Sequence, residues 1–264
     1  MTAESSCVRV EDGPHQSRVL TLARPERRNA LSGELIAALY TYLRAAQRDP
    51  SVRSIVLAAD GPVFCAGGDF SQMPGQGGPV APTGAGRTPD YADLLSALVT
   101  SEVPVIARLQ GDAFGGGLGL AAASTFAIAA ESARFGTPEI RVGIFPMMIA
   151  AVLVRVVPRR TLSEMMLFGE PLSAREAQTA GLITLVVNAS ALDDTAHAYA
   201  ERVQKTSPST VRLGLRALAE QDGLRLDAAL PLLKARLLEV LATDDAREGL
   251  TAFLEKRAPV WRGT

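Results

Sequence analysis

Two glycine-rich stretches hold the residues best suited to chemistry. One reads Phe64-Cys65-Ala66-Gly67-Gly68-Asp69-Phe70, the other Gly111-Asp112-Ala113-Phe114-Gly115-Gly116-Gly117. In the second, the apolar β-like run Val105 to Leu109 passes through three successive glycines into an alanine-rich helical run from about Leu118 to Ala123. Glycines let a backbone approach a ligand closely, and the first turn of a helix presents unpaired N–H groups with partial positive charge. A developing anion is well served at such a junction. The same residues equally suit a packing loop whose small side chains let a helix lie close to a sheet. A dinucleotide fingerprint fails because its third glycine would fall on Leu120, and a phosphate P-loop fails for want of a lysine.

The flanking pattern gives the elements that must hold these bends. Val8 to Val10 and Arg18 to Leu22 read as a hairpin turning at Asp12-Gly13-Pro14. Ser32 suits the cap of a helix with Leu35, Leu39, Tyr42 and Leu43 on one face, ending near Asp49-Pro50. Val52 to Ala58 is a continuous apolar run expected as a buried strand. Met73 to Pro89 is so rich in glycine and proline that a mobile loop is expected. Tyr91 to Thr100 reads as a helix, and Val105 to Leu109 and Thr125 to Ala129 as strands; this alternation predicts βαβ units. From Pro146 onward helical periodicity dominates, interrupted by one short strand, Leu185 to Val187.

Composition excludes several classes. Charged residues are 21% and apolar residues 47%, so the chain has the aliphatics a packed core needs. Its net charge of −1 suggests neither nucleic acid nor an anionic membrane as partner. Two cysteines, Cys7 and Cys65, make no disulfide framework and no metal-ligand spacing, which points to a reducing compartment. With no signal-like N-terminus and no apolar stretch of membrane-spanning length, a cytoplasmic protein is expected.

Six motifs, in order, carry a resemblance. They are Leu22-Ala-Arg-Pro-Glu-Arg-Arg-Asn-Ala-Leu31, Phe64-Cys-Ala-Gly-Gly-Asp69, Gly111-Asp-Ala-Phe-Gly-Gly-Gly117, Ala133-Arg-Phe-Gly-Thr-Pro-Glu139, the segment Gly169 to Leu182, and Phe253-Leu-Glu-Lys-Arg257. Together they cover nearly the whole chain and resemble the enoyl-CoA hydratase/isomerase family, or crotonases. The resemblance implies an α/β, crotonase-like (ClpP/crotonase) spiral of ββα and βαβ units with a helical C-terminal oligomerisation region. Residues 1–195 would form the spiral core and 196–264 the helical region, giving a homotrimer or a dimer of trimers.

The chemistry implied is stabilisation of a thioester enolate by two backbone N–H groups. Matched to this sequence, the donors are Gly68 and Gly116, and the acid/base is Glu139. Coenzyme A, part of the substrate rather than a separate cofactor, is expected along Glu26 to Ala30, with Ala66 at the adenine and Gly68, Asp69, Phe70 and Ser71 lining the pantetheine and thioester path. Arg27, Arg28 and Lys256 are candidates for the phosphates, although Arg27 and Arg28 also suit a solvated loop. No metal is implied.

Family hydratases carry a second glutamate two positions after the glycine triplet. Here that residue is Gly119, and a glycine transfers no proton. One carboxylate suits moving a proton between two carbons, so the resemblance favours double-bond isomerisation over hydration. Hydrolysis or decarboxylation in the same pocket, or a non-catalytic CoA-binding subunit, are the alternatives. Glu139 also has a purely structural reading, in which Thr137 caps a helix with Pro138 and Glu139 in its first turn. The run Phe145-Pro146-Met147-Met148-Ile149 is expected to add apolar bulk to an acyl pocket.

Overall fold

The computed structural model describes residues 7–69 and 87–264. Strands β1 (Val8–Gly13) and β2 (Ser17–Leu22) form the expected antiparallel hairpin. The turn falls later than the sequence suggests, at Pro14 to Gln16, with Gly13 still paired to Ser17. Proline has no N–H to continue the ladder, so the chain leaves the sheet there. Helix α1 (Gly33–Arg48) is capped as read, the Ser32 hydroxyl accepting the Leu35 N–H, and it buries Leu35, Leu39 and Leu43.

Strand β3 (Ser54–Ala59) is buried along its whole length. Helix α2 (Tyr91–Val99), β4 (Val105–Leu109), β5 (Ala113–Phe114), α3 (Gly116–Ala123), β6 (Phe126–Ala130) and β7 (Arg134–Gly136) follow. Then come α4 (Met147–Leu153), α5 (Arg159–Phe168), β8 (Leu172–Ser173), α6 (Ala174–Thr179), β9 (Leu185–Val187), α7 (Leu192–Gln204), α8 (Pro208–Gln221), α9 (Leu226–Leu241) and α10 (Asp244–Glu255). The Gly/Pro-rich segment falls, up to residue 86, outside the described residues.

One sheet runs β1-β2-β3-β4-β6-β9, parallel from β2 onward. Both its faces are covered, as a parallel sheet requires. The larger core holds Leu35, Leu57, Leu94, Leu109 and Leu120 on one side; on the other, Val56, Ile106 and Ile128 meet Leu192, Ala196 and Ala200 of α7. A second sheet, β5-β7-β8, is made of strands of two or three residues. Such strands are too short to show a period, and the sequence predicts none of them. This small sheet runs the chain from β5 straight into the glycine bend.

The C-terminal helices leave a wide apolar face. Leu226, Leu230, Leu237 and Leu238 of α9 and Phe253 and Leu254 of α10 are exposed. Among the described residues no helix is long and apolar enough to cross a membrane.

The loop before α1 depends on Asn29. It is fully buried in the left-handed region (φ 53°), a conformation asparagine tolerates better than most residues. Its amide donates to Asp60 O and Val63 O, both at 2.9 Å, and its carbonyl accepts the Arg24 N–H at 2.9 Å. Asn29→Ala strips partners from three partly buried backbone groups, and a loss of about 2–4 kcal/mol in urea unfolding is expected. A shift below about 0.5 kcal/mol, the size of an ordinary surface change, would show that this loop is not held as described.

Candidate active site

The bend at residues 64–69 is an extended segment held on two sides. On one side Ala66 N–H donates to Arg28 O (3.0 Å), Leu31 N–H to Gly67 O (2.8 Å) and Asp69 N–H to Leu31 O (3.1 Å). On the other, Cys65 N–H donates to Asp112 O (3.2 Å) and Cys65 O accepts from Phe114 N–H (3.0 Å). Groups alternate along an extended chain, so with Gly67 O and Asp69 N–H turned to Leu31, the Gly68 N–H points away from it. The second bend follows the same logic: Gly115 N–H is taken by Gly136 O of β7 (2.9 Å), leaving Gly116 N–H as the first free amide of α3. Neither the Gly68 nor the Gly116 N–H finds an acceptor among the described residues.

The two bends touch. A side chain on Gly67 would stand 3.1 Å from Phe114 O and 3.6 Å from Gly116 N. Gly115 turns the chain with φ 49° and ψ −120°, a region closed to residues with a Cβ. Gly117 has no such backbone demand, but its Cβ would lie 2.5 Å from Cys65 O, so only glycine lets α3 approach the first bend. The triplet serves close packing, and it leaves the Gly116 N–H without an acceptor among the described residues.

Glu139 arrives from the other side, in a 3-10 turn (Pro138–Val142) after β7. Its carboxylate covers Gly115: a Cβ there would lie 3.1 and 3.2 Å from the two Glu139 oxygens. Burial raises its pKa, and its own backbone N–H only partly offsets this. Among the described residues no cation pairs with it. The structural reading of this glutamate holds in part: Thr137 precedes a short 3-10 turn with Pro138 and Glu139 in its first turn, but its buried hydroxyl makes no capping bond, donating instead to Met165 O at 2.6 Å and tying β7 to α5.

The other predicted residues fall into three groups. Ala30, Ala66 and Asp69 are partly buried around the first bend, while Arg27 and Arg28 are exposed just before it. Lys256 stands apart, ending α10 in the left-handed conformation on a helix whose main packing partners are α8 and α9. Phe70 and Ser71 lie outside the described residues. Of the apolar run, Met147 and Met148 are exposed, whereas Ile149 is buried against Gly119. Cys65 is wholly buried and its pKa is pushed up to about 12 by desolvation, which rules against a thiolate nucleophile.

Two residues at the site were not singled out as site residues from sequence. Leu31 joins the two donors, since its backbone holds the first bend while its side chain packs on Gly116, whose Cβ would meet Leu31 Cδ1 at 2.7 Å. Tyr91, the first residue of α2, donates from its hydroxyl to Gly116 O at 2.5 Å. A cleft of about 440 Å³ lies at the far end of α3, lined among others by Leu98, Ala123, Val152 and Leu215. It does not border Gly68, Gly116 or Glu139 and belongs to different surroundings.

Proteins of similar sequence and fold are known. The family model described as enoyl-CoA hydratase/isomerase matches residues 16–264. The mitochondrial enoyl-CoA hydratase domain-containing protein 3 of Danio rerio is 34% identical, over 100% of this chain and 91% of its own. The 2,3-dehydroadipyl-CoA hydratase of Escherichia coli is 35% identical, over 94% and 96% respectively. Among solved structures, an enoyl-CoA hydratase of Mycobacterium smegmatis superposes with a TM-score of 0.88 at 32% identity, covering 97% of this chain and 98% of that one. The chain therefore belongs to the enoyl-CoA hydratase/isomerase family, with the crotonase fold, and is an acyl-CoA enzyme of that type.

Proposed function

We propose that the chain binds an unsaturated acyl-CoA with its thioester oxygen between the Gly68 and Gly116 N–H groups, and that Glu139 moves a proton on the adjoining carbons. The observation that carries this reading is the contact of two bends, each with an acceptor-free amide, Gly68 on one and Gly116 on the other, with the half-buried Glu139 carboxylate lying over Gly115 and no cation beside it among the described residues. A positioned N–H at a developing oxyanion lowers a barrier by about 3–4 kcal/mol. A carboxylate with a raised pKa is a better base toward carbon and a better acid near neutral pH.

Isomerisation is favoured over hydration. Hydration needs a group to activate water as well as one to protonate carbon, and position 119 offers no carboxylate. The relatives' names speak for hydration in those proteins, and product analysis separates the two reactions. Coenzyme A is proposed to run along Glu26 to Ala30 past Ala66 and Asp69 toward Phe70 and Ser71, with Arg27 and Arg28 at the phosphates. Lys256 would join them only in an assembled oligomer. The exposed leucines of α9 and the Phe253-Leu254 pair of α10 support a homotrimer or dimer of trimers. A cytoplasmic location rests on the two cysteines, both free and buried.

Incubating the enzyme with a mixed enoyl-CoA library in heavy-oxygen water and weighing the products tests the reaction. Isomerisation leaves the mass unchanged; labelled water in the product would assign hydration instead. Glu139→Gln is expected to cut turnover by about 10²–10⁴-fold while CoA still binds; full activity in that variant would remove Glu139 from the mechanism.

The same variant tests the electrostatics independently of substrate. Burial makes Glu139 hold its proton to higher pH in the folded chain than in the unfolded one. Between those two pKa values the folded state binds more protons, so stability falls as pH rises through the window. Glu139→Gln removes that fall. Its Tm relative to wild type is expected to become more favourable from acid pH, below the ordinary glutamate range, up to neutral pH; a constant difference would mean that the carboxylate is not desolvated.

A further inference from the structure

Gly119 and Tyr91 are two halves of one feature. A Cβ at position 119 would lie 2.2 Å from Tyr91 Oη and 2.6 Å from Ile149 Cγ2, so the phenol occupies the space a side chain there would need. Tyr91 is 8% exposed, and its hydroxyl donates to the carbonyl of Gly116 at 2.5 Å. The rim of its ring also covers Gly116, where a Cβ would stand 3.5 Å from Tyr91 Cζ. With Leu31 also reaching Gly116, that residue is gripped between two side chains and by its own carbonyl.

The tyrosine is itself held firmly. It opens α2 directly after Asp90, which caps the helix in a reciprocal box with Asp93, and Arg87 pairs with both carboxylates. Burial pushes the phenol pKa well above its ordinary value, with Glu139 acting in the same direction, so the hydroxyl remains a donor.

We infer that Tyr91 is a positioning residue for the Gly116 amide, and that position 119 is glycine because the phenol that clamps Gly116 fills its side-chain space. This rests on the reading of Gly116 as a donor to the thioester oxygen. Clamping the carbonyl and Cα of one residue fixes the direction of its N–H, and an oxyanion donor is effective only when aimed at the oxygen in advance. The clamp goes with a site that has a single carboxylate, because a side chain at 119 would meet Tyr91 Oη at 2.2 Å and force the phenol from its place on Gly116.

The test reads the polarisation of the bound carbonyl. Hexanoyl-CoA labelled with carbon-13 at the thioester carbon is bound to wild type, Tyr91→Phe and Gly119→Ala, and the isotope-edited infrared band is compared with that in water. In wild type the carbonyl band is expected to move to lower wavenumber. In Tyr91→Phe most of that movement is lost and kcat on the enoyl-CoA substrate falls about tenfold or more, while affinity for free CoA is unchanged. Gly119→Ala, which displaces the phenol, gives the same loss, and the double variant loses no more than the worse single one. If Tyr91→Phe keeps both the band position and kcat, or loses only thermal stability with the band unmoved, the inference is overturned. If the wild-type band does not move at all, the thioester does not lie on the Gly116 amide, and it is the underlying reading of the site that fails.

Discussion

Everything at the site depends on Leu31. Its backbone forms a one-residue parallel bridge with Gly68, taking up Gly67 O and Asp69 N–H and so turning the Gly68 N–H outward. Its side chain reaches across to Gly116. Two bends far apart in sequence are thereby held against one residue, Leu31, through its backbone on one and its side chain on the other. Leu31 in turn is placed by the buried Asn29 loop before it and by the Ser32 cap after it. The order is loop, bridge, bend: side-chain hydrogen bonds of Asn29 and Ser32 set the loop, and backbone hydrogen bonds of Leu31 set the bend.

The glycines follow from that closeness. Gly115 is required by its backbone angles and Gly117 by the carbonyl of Cys65, while at Gly119 a Cβ would meet the phenol of Tyr91. One short glycine-rich run therefore answers several different packing constraints while leaving the Gly116 N–H without an acceptor among the described residues. The cost of so little side-chain packing at the start of α3 is met by Leu118 and Leu120, both fully buried in the main core.

Much of this was legible in the sequence because it is local. The Ser32 cap and the apolar runs of β3, β4 and β9 lie within or beside one element, and the strand-glycine-helix junction joins near neighbours in sequence. What stayed hidden is long-range. Tyr91 and Gly116 are 25 residues apart, and nothing about an aromatic residue at a helix start says which carbonyl it meets. Thr137 looked like a cap because a threonine before a Pro-Glu pair usually is one; its hydroxyl is instead drawn to Met165 O, 28 residues on. The β5-β7-β8 sheet was missed for want of length, although it is the element that feeds the chain into the second bend. The family motifs located Gly68, Gly116 and Glu139 without saying what holds them.

The central claim is that Gly68 and Gly116 converge on one acyl oxygen beside Glu139. A crystal structure of the wild-type chain with a bound saturated acyl-CoA tests it most directly. The account expects the thioester oxygen at about 2.7–3.1 Å from both amide nitrogens, with the Glu139 carboxylate over the neighbouring carbons. A thioester bound elsewhere, for instance in the cleft at the far end of α3, or touching only one of the two amides, would contradict it.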